Sequence, residues 1–312
     1  MSSTMCATSP ITSFSELRDR ARAAGPKRVG VVVADDDIAL AAAHDALCLE
    51  IASPVLIGEE AKIRAIAAQH GFGQLSRAEF VAAPDAGTAA RIAVKMARAG
   101  ELDNLLKGHL RTDELLRPVL SSTEGLRTGR LLSDVLLYED LLSGSKRLVG
   151  VTDGGLNVAP TLEQKKQIVE NAIEVMRCIG IARPKMAIMS ATEAVSESVP
   201  STVDARALAE MCGRGDFGEA EVFGPLALDN ALMESAAKAK GISGPVAGHA
   251  DCMVVPNIEA GNLLGKAVKY LGGSPCAHVV VGAKTPILIP SRIESADDKV
   301  NAIALGVLFA AR

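Results

Sequence analysis

Tryptophan is absent from this 312-residue chain, and aromatic residues make up only 3% of it. A core must therefore be built from Ala, Val, Leu and Ile. A hydrophobic content of 48% against 22% charged residues is that of a globular chain that buries one. An excess of positive charge is also missing. The net charge is −4, which gives no electrostatic case for nucleic acid or an anionic membrane surface. No apolar run approaches the roughly 18 residues that a membrane span requires. The opening MSSTMCATSPITSF has neither the basic leader nor the apolar stretch of a secretory signal. The expectation is a soluble, cytoplasmic protein with about ten frayed residues at its start.

The six cysteines (Cys6, Cys48, Cys178, Cys212, Cys252 and Cys276) are scattered and form no C-x-x-C pair. That argues against a zinc site and a disulfide framework, and for reduced thiols. The histidines at 44, 70, 109, 249 and 278 do not fall at metal-ligand spacing. The chain has no G-x-x-x-x-G-K-[ST] and no G-x-G-x-x-G after a strand, so neither common nucleotide motif is present. No G-x-S-x-G elbow supports a serine hydrolase.

What the chain does have is alternation. Short β-branched runs (RVGVVVA from Arg28, Pro54–Ile57, Phe80–Val81, Asp103–Leu106) are separated by helical stretches. Near Gly144 a second set begins, with Arg147–Val151, a long amphipathic helix from Thr161, Lys185–Ser190 and Glu221–Phe223. Strict alternation implies an α/β fold of mostly parallel strands with helices on both faces. The last helix, from Ser295, carries Val300, Ile303, Ala304, Val307, Leu308 and Ala311 at core-facing spacing. Two domains follow: residues 1–144 with 291–312, and 145–290 inserted between them. A cleft is expected where the chain crosses.

In open α/β sheets ligands bind beyond the carboxyl ends of strands. Between Gly244 and Arg312 three strand-like runs end in polar turns: 256–262 with Asn257, Glu259 and Asn262, then Gly282-Ala283-Lys284, then Ser291-Arg292. Lys107 ends a strand of the first set, followed by Gly108 and His109. Arg117, Arg127 and Arg130 stand near glycine-rich turns, where a guanidinium fork suits phosphate oxygens. For each of these cations a solvated surface ion pair is the alternative. Arg292 is favoured because a helix N-terminus follows it. Ser295-Ala296-Asp297-Asp298 has capping-box spacing, so Asp298 reads from spacing alone as a helix cap.

The blocks PVAGHADCMVVPNIEAGNLLGKA (245–267), FGPLALDNAL (223–232), GLRTGRLLS (125–133) and PSRIESADDKVNAIAL (290–305) resemble the phosphate acetyl/butyryltransferases, in that family's order, from about Arg28 to the C-terminus. Their wording is nearer the butyryl branch. The resemblance implies a homodimeric two-domain enzyme with an isocitrate/isopropylmalate-dehydrogenase-like fold and an active site in the interdomain cleft. It implies transfer of a short acyl group between coenzyme A and inorganic phosphate, with no metal or redox cofactor. On the family motif, Ser291, Arg292 and Asp298 are catalytic, Arg117 matches less securely, and the position of His249 varies. The thiol of coenzyme A would attack an acyl phosphate and phosphate would leave. Full proton transfer from a thiol (about 8.5) to an ordinary Asp (about 3.9) costs about 6 kcal/mol. The acceptor must be raised, or an arginine must stabilise the thiolate, or the proton must move as the C–S bond forms. A metal- and nicotinamide-dependent hydroxy-acid dehydrogenase of the same fold class is the competing reading. It needs a carboxylate cluster, for which Asp251 and Glu259 are too few. A non-catalytic acyl-CoA or acyl-phosphate binder is the third.

Overall fold

The structure, a computed structural model, describes residues 9–141, 146–291 and 294–312. Arg292 and most of the expected frayed start lie outside the described residues. In chain order the elements begin with α1 (Phe14–Ala24), β1 (Lys27–Val32), α2 (Asp37–Cys48), β2 (Ala52–Gly58), α3 (Glu60–Gln69), β3 (Glu79–Ala82), α4 (Ala86–Ala99), β4 (Asn104–Lys107) and α5 (Thr112–Val119). They continue with β5 (Ser133–Glu139), β6 (Leu148–Thr152), α6 (Leu162–Cys178), β7 (Lys185–Met189), α7 (Pro200–Gly213), β8 (Glu221–Leu226), α8 (Leu228–Leu232), α9 (Glu234–Ala239), β9 (Cys252–Val254) and α10 (Ile258–Lys266). Last come β10 (Cys276–Val281), β11 (Ile287–Leu288) and α11 (Ala296–Ala310).

Local chemistry sets many of these boundaries. The Asp85 carboxylate caps α4 by accepting the Thr88 amide at 2.8 Å, and Gly100 stops the helix at a φ of 79°. Thr161 and Gln164 form a reciprocal capping box at the start of α6. α5 ends one residue after Pro118, whose ring cannot continue a regular helix.

The chain divides into two compact units. One comprises residues 15–132 and 276–312, and the other 1–14 and 133–275. The first carries strands in the order β3-β2-β1-β4-β11-β10, parallel except for β10, which runs antiparallel to β11. The second carries β5-β6-β9-β7-β8, where β5 and β6 are antiparallel and the rest parallel. The divisions fall at 132/133 and 275/276, not at the 144/145 and 290/291 read from the sequence. The reason is pairing. β11 hydrogen-bonds to β4 with Ile287 opposite Leu105, and Val280 of β10 lies opposite Ile287. Both strands therefore belong with the first unit, while β5 pairs with β6 in the other.

α11 packs on α2, β10, β4 and β11. The sequence suggests one apolar face; the structure buries every residue from 298 to 307. Its close approach depends on Gly306. A β-carbon there would sit 2.7 Å from the Asn104 side-chain oxygen and 3.0 Å from Leu288. Burying a side chain such as Val300, Ile303 or Val307 contributes about 1.5–3 kcal/mol. α11 is thus held in place as a rigid support for what stands at its N-terminus.

Candidate active site

In the first unit β1, β4 and β11 run parallel, so their carboxyl ends share one edge. Lys107 is the last residue of β4. It is buried, and its ammonium donates to the Leu110 carbonyl at 3.4 Å. The turn after it requires glycine, because a β-carbon on Gly108 would lie 2.2 Å from the Val33 carbonyl oxygen. The Gly108 and His109 amides donate to the carbonyls of Val32 and Val33 at 2.9 and 2.8 Å, tying this turn to the end of β1. His109 is exposed, with Nδ1 3.5 Å from Asp35. Three residues past β11 on the same edge stands Ser291. Lys107 and Ser291 line one cavity of about 460 Å³, together with Arg111, Thr112 and Asp113 at the start of α5.

The N-terminus of α11 follows. Ser295 is its N-cap: its Oγ accepts the Asp298 amide at 3.2 Å. The carboxylate of Asp298 is 2% exposed and heavily engaged. Oδ2 accepts the Ser295 hydroxyl at 2.6 Å and the Ser295 amide at 3.3 Å. Oδ1 accepts the Cys276 amide at 3.0 Å and the Cys276 thiol at 3.6 Å. A carboxylate offers roughly four acceptor positions, and these donors occupy both of its oxygens. One turn on, the Asn301 amide donates to the Cys276 carbonyl at 3.4 Å. Asp298 and Asn301 together satisfy the backbone at the start of β10. The capping geometry that spacing suggests is therefore present, extended to a neighbouring strand.

Two residues here escaped the sequence reading. Lys299 is 3% exposed, and its ammonium donates to the Ser291 carbonyl at 3.2 Å. Burial pushes its pKa down from the usual lysine value, while Asp36, Glu294 and Asp298 oppose that shift. Glu294 is 4% exposed; Oε1 lies 3.4 Å from Nε2 of His278, and Oε2 is buried without a hydrogen-bond partner among the described residues. The available signal was a lysine in the first turn of a helix, where the dipole disfavours a cation.

The other candidates stand elsewhere. Arg117 is exposed and lines a separate groove of about 710 Å³ beside Arg91, Lys95 and Arg98 of α4. The Gly282-Ala283-Lys284 end of β10 is a correction to the strand-end argument. β10 is antiparallel to β11, so its carboxyl end points away from the edge that carries Ser291. There the exposed Lys284 donates to the Arg98 carbonyl at 2.7 Å. Arg127 bridges to Ala283 and the Thr128 hydroxyl donates to the Gly282 carbonyl at 2.6 Å. Arg127, Arg130 and Lys284 thus stand on one stretch of backbone that does not include Ser291 or Lys107.

In the second unit the Asn257 side chain caps α10, accepting the Ala260 amide at 3.0 Å. Glu259 is exposed, as is Asn262, which donates to the Gly154 carbonyl at 3.3 Å. Beneath them lies Asp153, which the sequence reading passed over as a turn residue. Its carboxylate accepts the amides of Gly155 and Leu156 at 2.8 and 2.9 Å. Burial, and then the nearby Asp134, push its pKa up to about 6. Among the described residues no three His, Cys, Asp or Glu side chains are grouped to hold a metal ion. No helix among them is long and apolar enough to cross a membrane.

Residues 79–307 match the family described as Phosphate acetyl/butaryl transferase. The chain is 40% identical over 301 residues to the phosphate acetyltransferase of Rhizobium meliloti, covering 96% of this chain and 94% of that one. It is 39% identical over 300 residues to the phosphate butyryltransferase of Clostridium acetobutylicum, covering 96% and 99%. Among solved structures, a branched-chain phosphotransacylase from Enterococcus faecalis superposes with a TM-score of 0.79 at 30% identity, over 91% of this chain and 99% of that chain.

Proposed function

The chain belongs to the phosphate acetyl/butyryltransferase family, and we propose that the edge carrying Lys107 and Ser291 is where it exchanges a short acyl group between coenzyme A and inorganic phosphate. The observation that carries this is the match over nearly the full length of enzymes of both branches, at 40% and 39% identity. The site geometry supports it with a cavity lined by the buried Lys107 and by Ser291.

In the direction of coenzyme A acylation, the thiolate attacks the carbonyl carbon of the acyl phosphate. The C–S bond forms, the C–O bond to phosphate breaks, and phosphate leaves. Lys107 offers its charge to the phosphoryl oxygens from the end of β4. Arg292, placed by the family motif one residue after Ser291, offers the two-pronged donor set that phosphate fits. Ser291 donates to the developing oxyanion or to the thiol. Asp298 is the candidate proton acceptor. It would take the proton by releasing one of the donors that now engage it. Arg117, Arg127, Arg130, Lys284, Asn257, Glu259 and Asn262 remain proposals for the extended coenzyme A molecule, whose phosphates and amides need such donors and acceptors. The chemistry moves protons and an acyl group but no electrons, so the proposal calls for no redox cofactor, and its donors are side chains rather than a metal. A cytoplasmic homodimer is part of the same proposal.

The test is phosphate-dependent release of coenzyme A thiol from acetyl-, butyryl- and longer acyl-CoA, run beside an NAD reduction assay with hydroxy acids. Thiol release with at least one short thioester is expected. No release from any of them sinks the proposal. Light scattering at micromolar concentration checks the dimer, and the monomer mass of 32.3 kDa would count against it.

A further inference from the structure

We propose that Lys299 is a positioning residue for the acyl transfer, fixing the backbone of Ser291 at the border of the substrate cavity. This rests on the reading of Ser291 as a substrate-binding residue. The Ser291 carbonyl oxygen is held twice, by the Glu294 amide at 3.2 Å and by the Lys299 ammonium at 3.2 Å. Holding it sets the direction of a residue that borders the cavity with Lys107.

Stability alone does not explain a lysine here. It stands in the first turn of α11, where the positive end of the helix dipole repels a cation. It is 3% exposed, where an ammonium loses its hydration. The surrounding acids compensate, but each has a separate commitment. Asp36 caps α2 through the Ala39 amide at 2.7 Å. Asp298 is engaged with Ser295 and Cys276. Glu294 keeps one buried carboxylate oxygen, Oε2, without a hydrogen-bond partner among the described residues. A buried carboxylate in that condition is costly unless positive charge stands near; Oε1 faces His278 at 3.4 Å, and Lys299 is a further cation whose charge Glu294 supports. Glu294 and Lys299 therefore anchor Ser291 from two sides. Glu294 holds it through its backbone amide, and Lys299 through its side chain. Such a preset backbone lets a donor meet developing charge without reorganising during the reaction.

The experiment measures steady-state kinetics of acyl-CoA with phosphate for Lys299→Met, Lys299→Arg, Ser291→Ala, and Lys299→Met combined with Glu294→Gln. The double variant removes both charges, so it is read if the single Met variant does not fold. Losing the anchor should lower kcat/KM for phosphate by about 10- to 100-fold, the scale of a misplaced active-site group. The KM for acyl-CoA should stay within about twofold, and Lys299→Arg should recover most of the loss. Lys299→Met that uses phosphate like wild type, while Ser291→Ala does not, overturns this proposal alone. Normal phosphate use by Ser291→Ala overturns the site reading and this proposal with it. An equal loss toward both substrates without rescue by Arg, or failure of both Met variants to fold, assigns Lys299 to structure only and also overturns it.

Discussion

Asp298→Asn separates two roles that meet on one carboxylate. As an acid, Asp298 accepts from both the amide and thiol of Cys276 and from both the amide and hydroxyl of Ser295. Asparagine keeps one acceptor oxygen and replaces the other by an NH2 group. If the NH2 faces Cys276, a buried amide loses its acceptor, which costs about 1–3 kcal/mol. If it faces Ser295, the exposed amide of that residue can turn to water. The second orientation is cheaper, yet it still converts charge-assisted bonds to neutral ones worth about half as much. The net loss should be about 2–3 kcal/mol, lowering Tm by roughly 4–12 °C for a unit of this size. A proton-acceptor role adds a separate effect. The kcat for coenzyme A attack on acyl phosphate should fall about 10²- to 10⁴-fold, measured well below the transition, with KM values largely kept. Circular-dichroism melting and a thioester-formation assay read the two effects independently. A Tm within about 1 °C of wild type would refute the capping argument, since a loss of that size moves Tm by more. A kcat within about tenfold would leave Asp298 as a cap and remove it from the chemistry.

Three further outcomes are expected. Asp153 has a folded pKa of about 6 against an ordinary 3.8, so the folded state holds its proton more tightly than the unfolded chain. Its contribution to stability is therefore greatest below about pH 4 and falls by roughly 3 kcal/mol as pH rises through 6. Urea unfolding from pH 4 to 8 should show that slope in wild type and lose it in Asp153→Asn; identical slopes would contradict the raised pKa. Gly108→Ala drives a β-carbon to 2.2 Å from the Val33 carbonyl and should cost about 3 kcal/mol or more by overpacking, so an unshifted melting curve would mean the turn is not held as described. Arg292→Lys keeps the charge but loses the two-pronged geometry; it should weaken phosphate use more than coenzyme A binding, and unchanged phosphate kinetics would move Arg292 to a surface ion pair.

What could be read from the chain divides along physical lines. Buried strands announce themselves as short β-branched runs, so RVGVVVA and AHVVV (277–281) are visible. The Ser295–Asp298 cap was visible too, because a cap is set by spacing of three. Strand direction leaves no such trace. β10 and β11 are joined by a short link that permits antiparallel pairing, and only the pairing of Val280 with Ile287 shows that Lys284 points to the other edge. The same pairing moves the unit boundary to 275/276. α1 leaves little trace, because FSELRDRARAA is polar enough to pass for surface loop. Lys299 failed for a different reason. By composition a lysine in a first helical turn beside two aspartates is a solvated charge, and its role depends on burial that no local pattern encodes. The residues the sequence hid are thus those whose chemistry comes from what packs around them: Lys299 and Glu294 behind Ser291, and Asp153 beneath Gly155. A charged group kept where both burial and the helix dipole oppose it is held there by something other than stability. In this unit that something is the position of the Ser291 carbonyl.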